Sequence, residues 1–259
     1  MALIKEFIKD KLKVSVYDTN KEMGAAAAND AALELIRLQA NLNEINIMFA
    51  AAKSQISMLD ILCTNKAIDF SKVNAFHMDE YAGLSADNPS SLAYYLTSRH
   101  LDKLNLKGIY FMNDENASYD EVCLKYAEIL KAHPLDICFL GIGDNGHLAF
   151  NEPHIADFNE TSWVRMVEID DISKIQQVNA GNFPTVQDVP SLAYTVTIPV
   201  LLSAKRKFCV APGKEKAKAV HMTLTGEITK ECPASILRQD ENTHLYLDKE
   251  SAEMVLNMF

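Results

Sequence analysis

Two short segments gather side chains that could move protons. The first is Phe76-His77-Met78-Asp79-Glu80-Tyr81-Ala82-Gly83-Leu84, where two adjacent carboxylates follow an apolar, β-rich stretch at 73–78. Side chains along an extended chain alternate in direction, so Asp79 and Glu80 should point opposite ways. A carboxylate whose proton affinity is tuned by burial can take a carbon-bound proton, and Asp79 is placed for that task. Glu80 is expected among the substrate contacts beside it. Without such a pocket the pair is a solvated acidic loop. His77 and Glu80 also spell HxxE, but this is not HExxH and no third ligand follows, so no metal is expected.

The second segment is Gly141-Ile142-Gly143-Asp144-Asn145-Gly146-His147-Leu148-Ala149-Phe150-Asn151-Glu152-Pro153, behind a short apolar run. A histidine such as His147 could pass a proton to or from a ring oxygen, with Glu152 orienting it. Gly141, Gly143 and Gly146 could let backbone N–H groups close on an anionic or hydroxylated ligand. The plainer reading is a structural histidine capping a turn. As letters, GIGDNG also fits the dinucleotide fingerprint GxGxxG. That fingerprint needs a full crossover helix after its third glycine, whereas Pro153 follows within seven residues, so no nucleotide cofactor is expected.

Elements of regular structure must hold these segments. Apolar, β-rich stretches at 45–51, 73–78, 109–112, 135–142, 208–211 and 244–247 alternate with segments of helical composition. That order implies a parallel sheet with crossover helices. Thr19 with Glu22, and Ser118 with Glu121, have capping-box spacing, predicting helices through 25–39 and 121–133. Gly24 and the four alanines after it suggest a close-packed helix start. In open α/β sheets ligands bind at the carboxyl ends of strands, where both chemical segments fall.

Composition narrows the rest. No apolar run approaches the roughly 20 residues needed to span a bilayer, and the N-terminus lacks the uninterrupted apolar stretch of a secretory signal, so a cytoplasmic protein is expected. A formal charge of −10 disfavours nucleic acid and anionic lipid as partners, leaving a phosphate pocket to be local. The five cysteines are scattered without a CxxC pair and are expected as buried thiols. No repeat or linker divides residues 1–259, which predicts one domain; a homo-oligomer is compatible with all of this.

FHMDEYAGL, then LGIGDNGHLAFNEP, then Ala193-Tyr194-Thr195-Val196-Thr197-Ile198-Pro199 and Pro212-Gly213-Lys214-Glu215-Lys216-Ala217, resemble in the same order the signatures of the glucosamine-6-phosphate deaminase/isomerase family. The resemblance implies an α/β fold with a Rossmann-like, mostly parallel sheet and helices on both faces. It implies a sugar phosphate as substrate, no metal and no cofactor, and a route of ring opening, proton transfer from C2 to C1 and release of ammonia. By motif position Asp79 resembles the base for the C2 proton, His147 the acid/base for ring opening and Glu152 its partner.

Three positions depart from the family pattern. Asp144-Asn145 stands where Asn-Asp is usual, and a one-residue shift is expected to bring Asp144 towards His147 while Asn145 bonds the substrate. The glycine-rich phosphate loop is replaced by Ala50-Ala51-Ala52-Lys53-Ser54-Gln55, putting the phosphate on Lys53 and Ser54. The phosphate-binding arginine expected near 179–183 is absent, while Lys216 matches the second basic position; Lys214 and Lys218 read as solvated. Two other functions stay open: a 6-phosphogluconolactonase-type hydrolase, although that family tends to end the second segment differently from Asn151-Glu152-Pro153, and a non-catalytic sugar-phosphate sensor, which should lack the base that Asp79 supplies.

Overall fold

The computed structural model describes residues 2–114 and 116–259. Its strands are β1 (Leu3–Lys9), β2 (Leu12–Tyr17), β3 (Ile45–Phe49), β4 (Val73–His77), β5 (Asp79–Tyr81), β6 (Gly108–Tyr110), β7 (Ile137–Leu140), β8 (Val164–Glu168), β9 (Leu192–Val196), β10 (Arg206–Ala211) and β11 (Thr243–Asp248). The helices are α1 (Asn20–Gln39), α2 (Ile56–Leu62), α3 (Leu92–Arg99), α4 (Tyr119–Ala132), α5 (Asp171–Asn179), α6 (Ile198–Leu202) and α7 (Ala217–Thr225).

Eight strands form one sheet in the order β1-β2-β11-β10-β7-β3-β4-β6, and every pairing is parallel except that of β1 with β2. The chain builds outward from β3 through β4 to β6, then returns to lay β7 against the other side of β3. This reversal opens a crevice at the carboxyl ends of β3 and β7, the place where open α/β sheets bind ligands.

Both faces of the sheet are covered, which explains why its central strands are almost wholly apolar. Ile45, Ile47 and Phe49 of β3 pack with α1, α2 and Leu96 of α3, while Met48 between them joins the opposite layer with α4, α6 and α7. Period-two alternation thus sorts one strand into two cores. Gly24 lies at the crossing of α1 and α2, where a Cβ would come within 2.6 Å of the Ser57 carbonyl carbon. Ser118 and Glu121 form the reciprocal capping box at α4. At α1 only half of the box forms, because Thr19 accepts from Glu22 N while the Glu22 carboxylate goes to Thr19 Oγ1 and Ala2 N.

The alternating pattern did not reveal the β1–β2 hairpin or a second, antiparallel sheet in the order β5-β9-β8. β5 is only three residues long and follows β4 after the single residue Met78, and its two carboxylates read as the loop that ends β4. All five cysteines are free thiols, with Cys123, Cys138, Cys209 and Cys232 buried. No helix of the described residues is long and apolar enough to cross a membrane.

Candidate active site

A cavity of about 560 Å³ opens at the carboxyl ends of β3, β4, β7, β10 and β11. Its size suits a small ligand. Ala50, Ala51, Ala52, Lys53 and Ser54 enter it from β3, Met78 and Asp79 from β4, Gly141 to Asp144 and His147 from β7, and Gly213, Glu215 and Lys216 from β10. One wall is α5 and the turn after it, with Gln176, Gln177, Asn179 and Asn182.

Asp79 stands where the chain leaves one sheet for the other. Val196 N donates to Met78 O at 2.8 Å, and Asp79 pairs with Thr195 in the β5–β9 ladder. That crossing turns the carboxylate into the cavity, where burial, and then the neighbouring Glu80 charge, push its pKa up to about 7 against the downward pull of His147. Glu80 points the other way, as alternation requires. It is fully buried and accepts from Tyr81 N, Leu92 N, Ala93 N and Asn113 Nδ2 at 2.8 to 3.0 Å, so it caps the first turn of α3. Its expected place among the substrate contacts is therefore corrected.

His147 and Glu152 form a bonded pair, with Nδ1 3.1 Å from Oε2. Glu152 is fully buried, and burial alone would raise its pKa. The His147 charge and hydrogen bonds from His147, Ser173 and Asn145 outweigh this and hold it at about 2. The carboxylate is thus kept ionised behind the imidazole. Thr195 anchors the turn that carries both residues: its hydroxyl accepts from Phe150 N at 3.1 Å and Asn151 Nδ2 at 3.3 Å, while Asn151 Nδ2 also reaches Val196 O at 2.9 Å. Ala149, between His147 and Glu152, adopts φ 52°, an uncommon left-handed conformation for a residue with a Cβ.

Several expectations for the glycine turn need correction. The N–H of Gly143 donates to His147 O at 3.0 Å and that of Gly146 to Gly143 O at 2.9 Å, so neither is free for a ligand. Gly143 instead makes room for the histidine: a Cβ there would lie 2.2 Å from His147 Nε2. Gly146, at φ 88°, turns the chain against Cys232 rather than lining the cavity. Gly141 does line it, beside Ser54.

The Asp144-Asn145 pair also lies differently from the expected shift. Asp144 bonds Lys216, Oδ1 to Nζ at 2.6 Å, and makes no hydrogen bond to His147. Asn145 lies behind the cavity wall and serves the pair directly: Nδ2 donates to Glu152 Oε2 at 2.7 Å and to Asp170 Oδ2 at 3.2 Å, and Oδ1 accepts from His147 N at 3.1 Å. Asp170 and Ser173 were not singled out in the sequence. Asp170 caps α5 by accepting from Ser173 N at 2.7 Å, and Ser173 Oγ donates to Glu152 and lies 3.3 Å from His147 Nδ1. The N-cap pattern of Asp170 before Ser173 was a usable signal for the helix, though not for its contact with residues some twenty positions upstream.

His77 is fully buried and accepts from Met112 N at 2.7 Å through Nε2, while burial lowers its pKa to about 3. Among the described residues no group of three or more histidine, cysteine or carboxylate side chains is arranged to hold a metal.

A parallel sheet with a switch-point crevice, a carboxylate with raised proton affinity and an ionised carboxylate behind a histidine meet at one place, as in an α/β enzyme. The chain belongs to the glucosamine-6-phosphate isomerases/6-phosphogluconolactonase family, which matches residues 18–246. It is 32% identical over 229 residues to a glucosamine-6-phosphate deaminase of Listeria welshimeri, covering 88% of this chain and 96% of the relative. A glucosamine-6-phosphate deaminase of Clostridium botulinum is 35% identical over 234 residues, covering 88% and 92%. Among solved structures, a monomeric glucosamine-6-phosphate deaminase superposes with a TM-score of 0.84 at 29% identity, covering 93% of this chain and 99% of that one. A 6-phosphogluconolactonase from Thermotoga maritima shares the fold, with a TM-score of 0.74 at 16% identity over 92% and 100% of the two chains.

Proposed function

We propose that the protein converts a 2-amino-2-deoxy-hexose 6-phosphate, with glucosamine 6-phosphate as the leading candidate, to fructose 6-phosphate and ammonia. The observation that carries this reading is that Asp79 and His147 face one cavity, with a raised proton affinity on the first and the firmly ionised Glu152 behind the second. His147 takes the proton of the anomeric hydroxyl and gives one to the ring oxygen, while Glu152 stabilises the imidazolium between these events. Asp79 then removes the C2 proton of the open aldehyde and returns it to C1. The resulting C2 imine adds water and expels ammonia, leaving the ketose.

Lys53, Ser54 and Lys216, with the backbone at Gly141, receive the phosphate in this reading. Side chains alone carry the chemistry, residues 1–259 act as one domain, and the enzyme works in the cytoplasm without nucleic acid or membrane as partner. Ammonia release from a panel of hexosamine 6-phosphates is the test. Turnover of the glucosamine ester, with no hydrolysis of 6-phosphogluconolactone, is expected; lactone hydrolysis without ammonia release would overturn it.

A further inference from the structure

Lys216 is the buried cation of the cavity, 7% exposed, yet its charge is already matched by Asp144 at 2.6 Å. The charged groups facing this pair come from every surrounding strand end: Lys53 beyond β3, Asp79 beyond β4, His147 beyond β7, Glu215 beyond β10, and Asp248 and Glu250 at β11. Carboxylates outnumber cations here. Asp248 is committed to Gly213 N and Ser251 N, and the Glu215 carboxylate folds back over Gly213, which leaves Asp144 as the carboxylate bonded to the lysine. A dianionic phosphate meeting Lys216 would sit beside the Asp144 charge, and like charges at such range repel by kilocalories per mole rather than tenths. A phosphate that keeps one proton changes the sign of that contact, since its O–H can donate to Asp144 while its other oxygens accept from Lys216. Charge-assisted bonds of this type are short and strong.

We propose that Asp144 makes the cavity selective for the monoanionic form of a phosphate group, with the retained proton bridging a phosphate oxygen and the Asp144 carboxylate. This rests on the reading of the cavity as a sugar-phosphate site and adds to it the protonation state of the ligand. Asp144 acts through the ligand's charge, as a specificity-determining residue, and takes no part in the proton transfers at C1 and C2. Phosphate esters lose their second proton near pH 6. Above that pH, binding must therefore draw a proton from solvent, and apparent affinity falls by about tenfold per pH unit.

Titration calorimetry with inorganic phosphate, in two buffers of different ionisation enthalpy at pH 8, measures that proton directly. Wild type is expected to take up close to one proton per phosphate, and Asp144→Asn to take up markedly less while binding more tightly. Inorganic sulfate, which holds no proton in this range, is expected to bind wild type more weakly than phosphate at pH 6 and to gain affinity in Asp144→Asn. Equal proton uptake by the two proteins, or sulfate binding to wild type as well as phosphate does at pH 6, overturns the proposal. The titration needs no turnover, so it remains decisive even if no hexosamine phosphate releases ammonia.

Discussion

Asn145 donates to Glu152 on Oε2, the oxygen that also meets His147 Nδ1, at 2.7 and 3.1 Å respectively. A neutral amide therefore completes the carboxylate–histidine pair where the family pattern has an acid. The second carboxylate of the cluster is supplied from outside the motif, by Asp170, which accepts from the same Nδ2 at 3.2 Å. Exchanging Asn145 for aspartate would remove both donated bonds and set three carboxylates together. Contrary to the expectation that Asn145 bonds the substrate, its place behind the pair means that Asn145→Asp should lower kcat at pH 7 by about tenfold or more. Its loss of thermal stability relative to wild type should also be larger at pH 7 than at pH 5, because protonating one member of the crowded cluster relieves it. An unchanged kcat and a difference from wild type that is the same at both pH values would refute this account.

Asp79→Asn should abolish turnover while preserving the fold, since an amide keeps the shape and cannot accept the C2 proton. Incubation with substrate in deuterium oxide reads this step: wild type should exchange deuterium into the substrate and product, and the variant should not.

The same carboxylate sets a pH dependence. Asp79 works as a base only when ionised, and its pKa is raised to about 7, so kcat/KM should fall on the acid side of neutrality, by about tenfold per unit once well below pH 7. The consequence for stability has the opposite sense. A carboxyl group that binds its proton more tightly in the folded state loses stability as pH rises from its unfolded value of 3.8 to about 7, and the cost is complete above that. Asp79→Asn should thus unfold at a higher temperature than wild type at pH 8, by on the order of 1 to 2 kcal/mol after allowance for partial exposure, and match it near pH 4.

Ser173 tests whether α5 positions the proton-transfer pair. Ser173→Ala removes a hydroxyl donor from a fully buried carboxylate, a loss of about 1.5 to 3 kcal/mol for a bond to a charged group. Its kcat should fall about tenfold with KM within about twofold of wild type, and Ser173→Thr, which keeps the hydroxyl, should recover most of the loss. A fall confined to thermal stability would make Ser173 a packing residue only.

Lys53 and Lys216 are expected to differ under the same substitution. Lys53 is exposed on the cavity rim, so Lys53→Met should raise KM for the sugar phosphate by about tenfold and leave stability unchanged. Lys216→Met also strands Asp144, and should lower thermal stability at pH 7 as well as raise KM. Unchanged KM in both variants would remove the phosphate from this end of the cavity.

The central sheet was legible because a strand covered on both faces must be apolar throughout, and the runs at β3, β4, β7, β10 and β11 announce themselves that way. Asp79, His147 and Glu152 were legible because their segments are long and specific. Glu80 was misread for a reason that alternation already supplied: if Asp79 faces the cavity, Glu80 faces away from it. Contacts across sequence were not legible. Nothing local says that Asp144 will meet Lys216 instead of His147, or that Ser173 will reach Glu152, because both depend on where separate strand ends converge. The second sheet was hidden because β5 is three residues long and two of them are carboxylates, which read as a loop after β4.

The pairing of Asp79 with Thr195 also bears on how the enzyme is made. Asp79 receives its orientation from β9, and the turn holding His147 and Glu152 is fastened to the same threonine, yet β9 leaves the ribosome long after β3, β4 and β7. Contacts between such distant parts of a chain form late, since the intervening loop must first be closed. A nascent chain ending before Leu192 can therefore hold half the sheet while its base and its histidine lack their common support. Activity should appear only after β9 has docked and β10 has brought Lys216 to the cavity, not in proportion to the length synthesised.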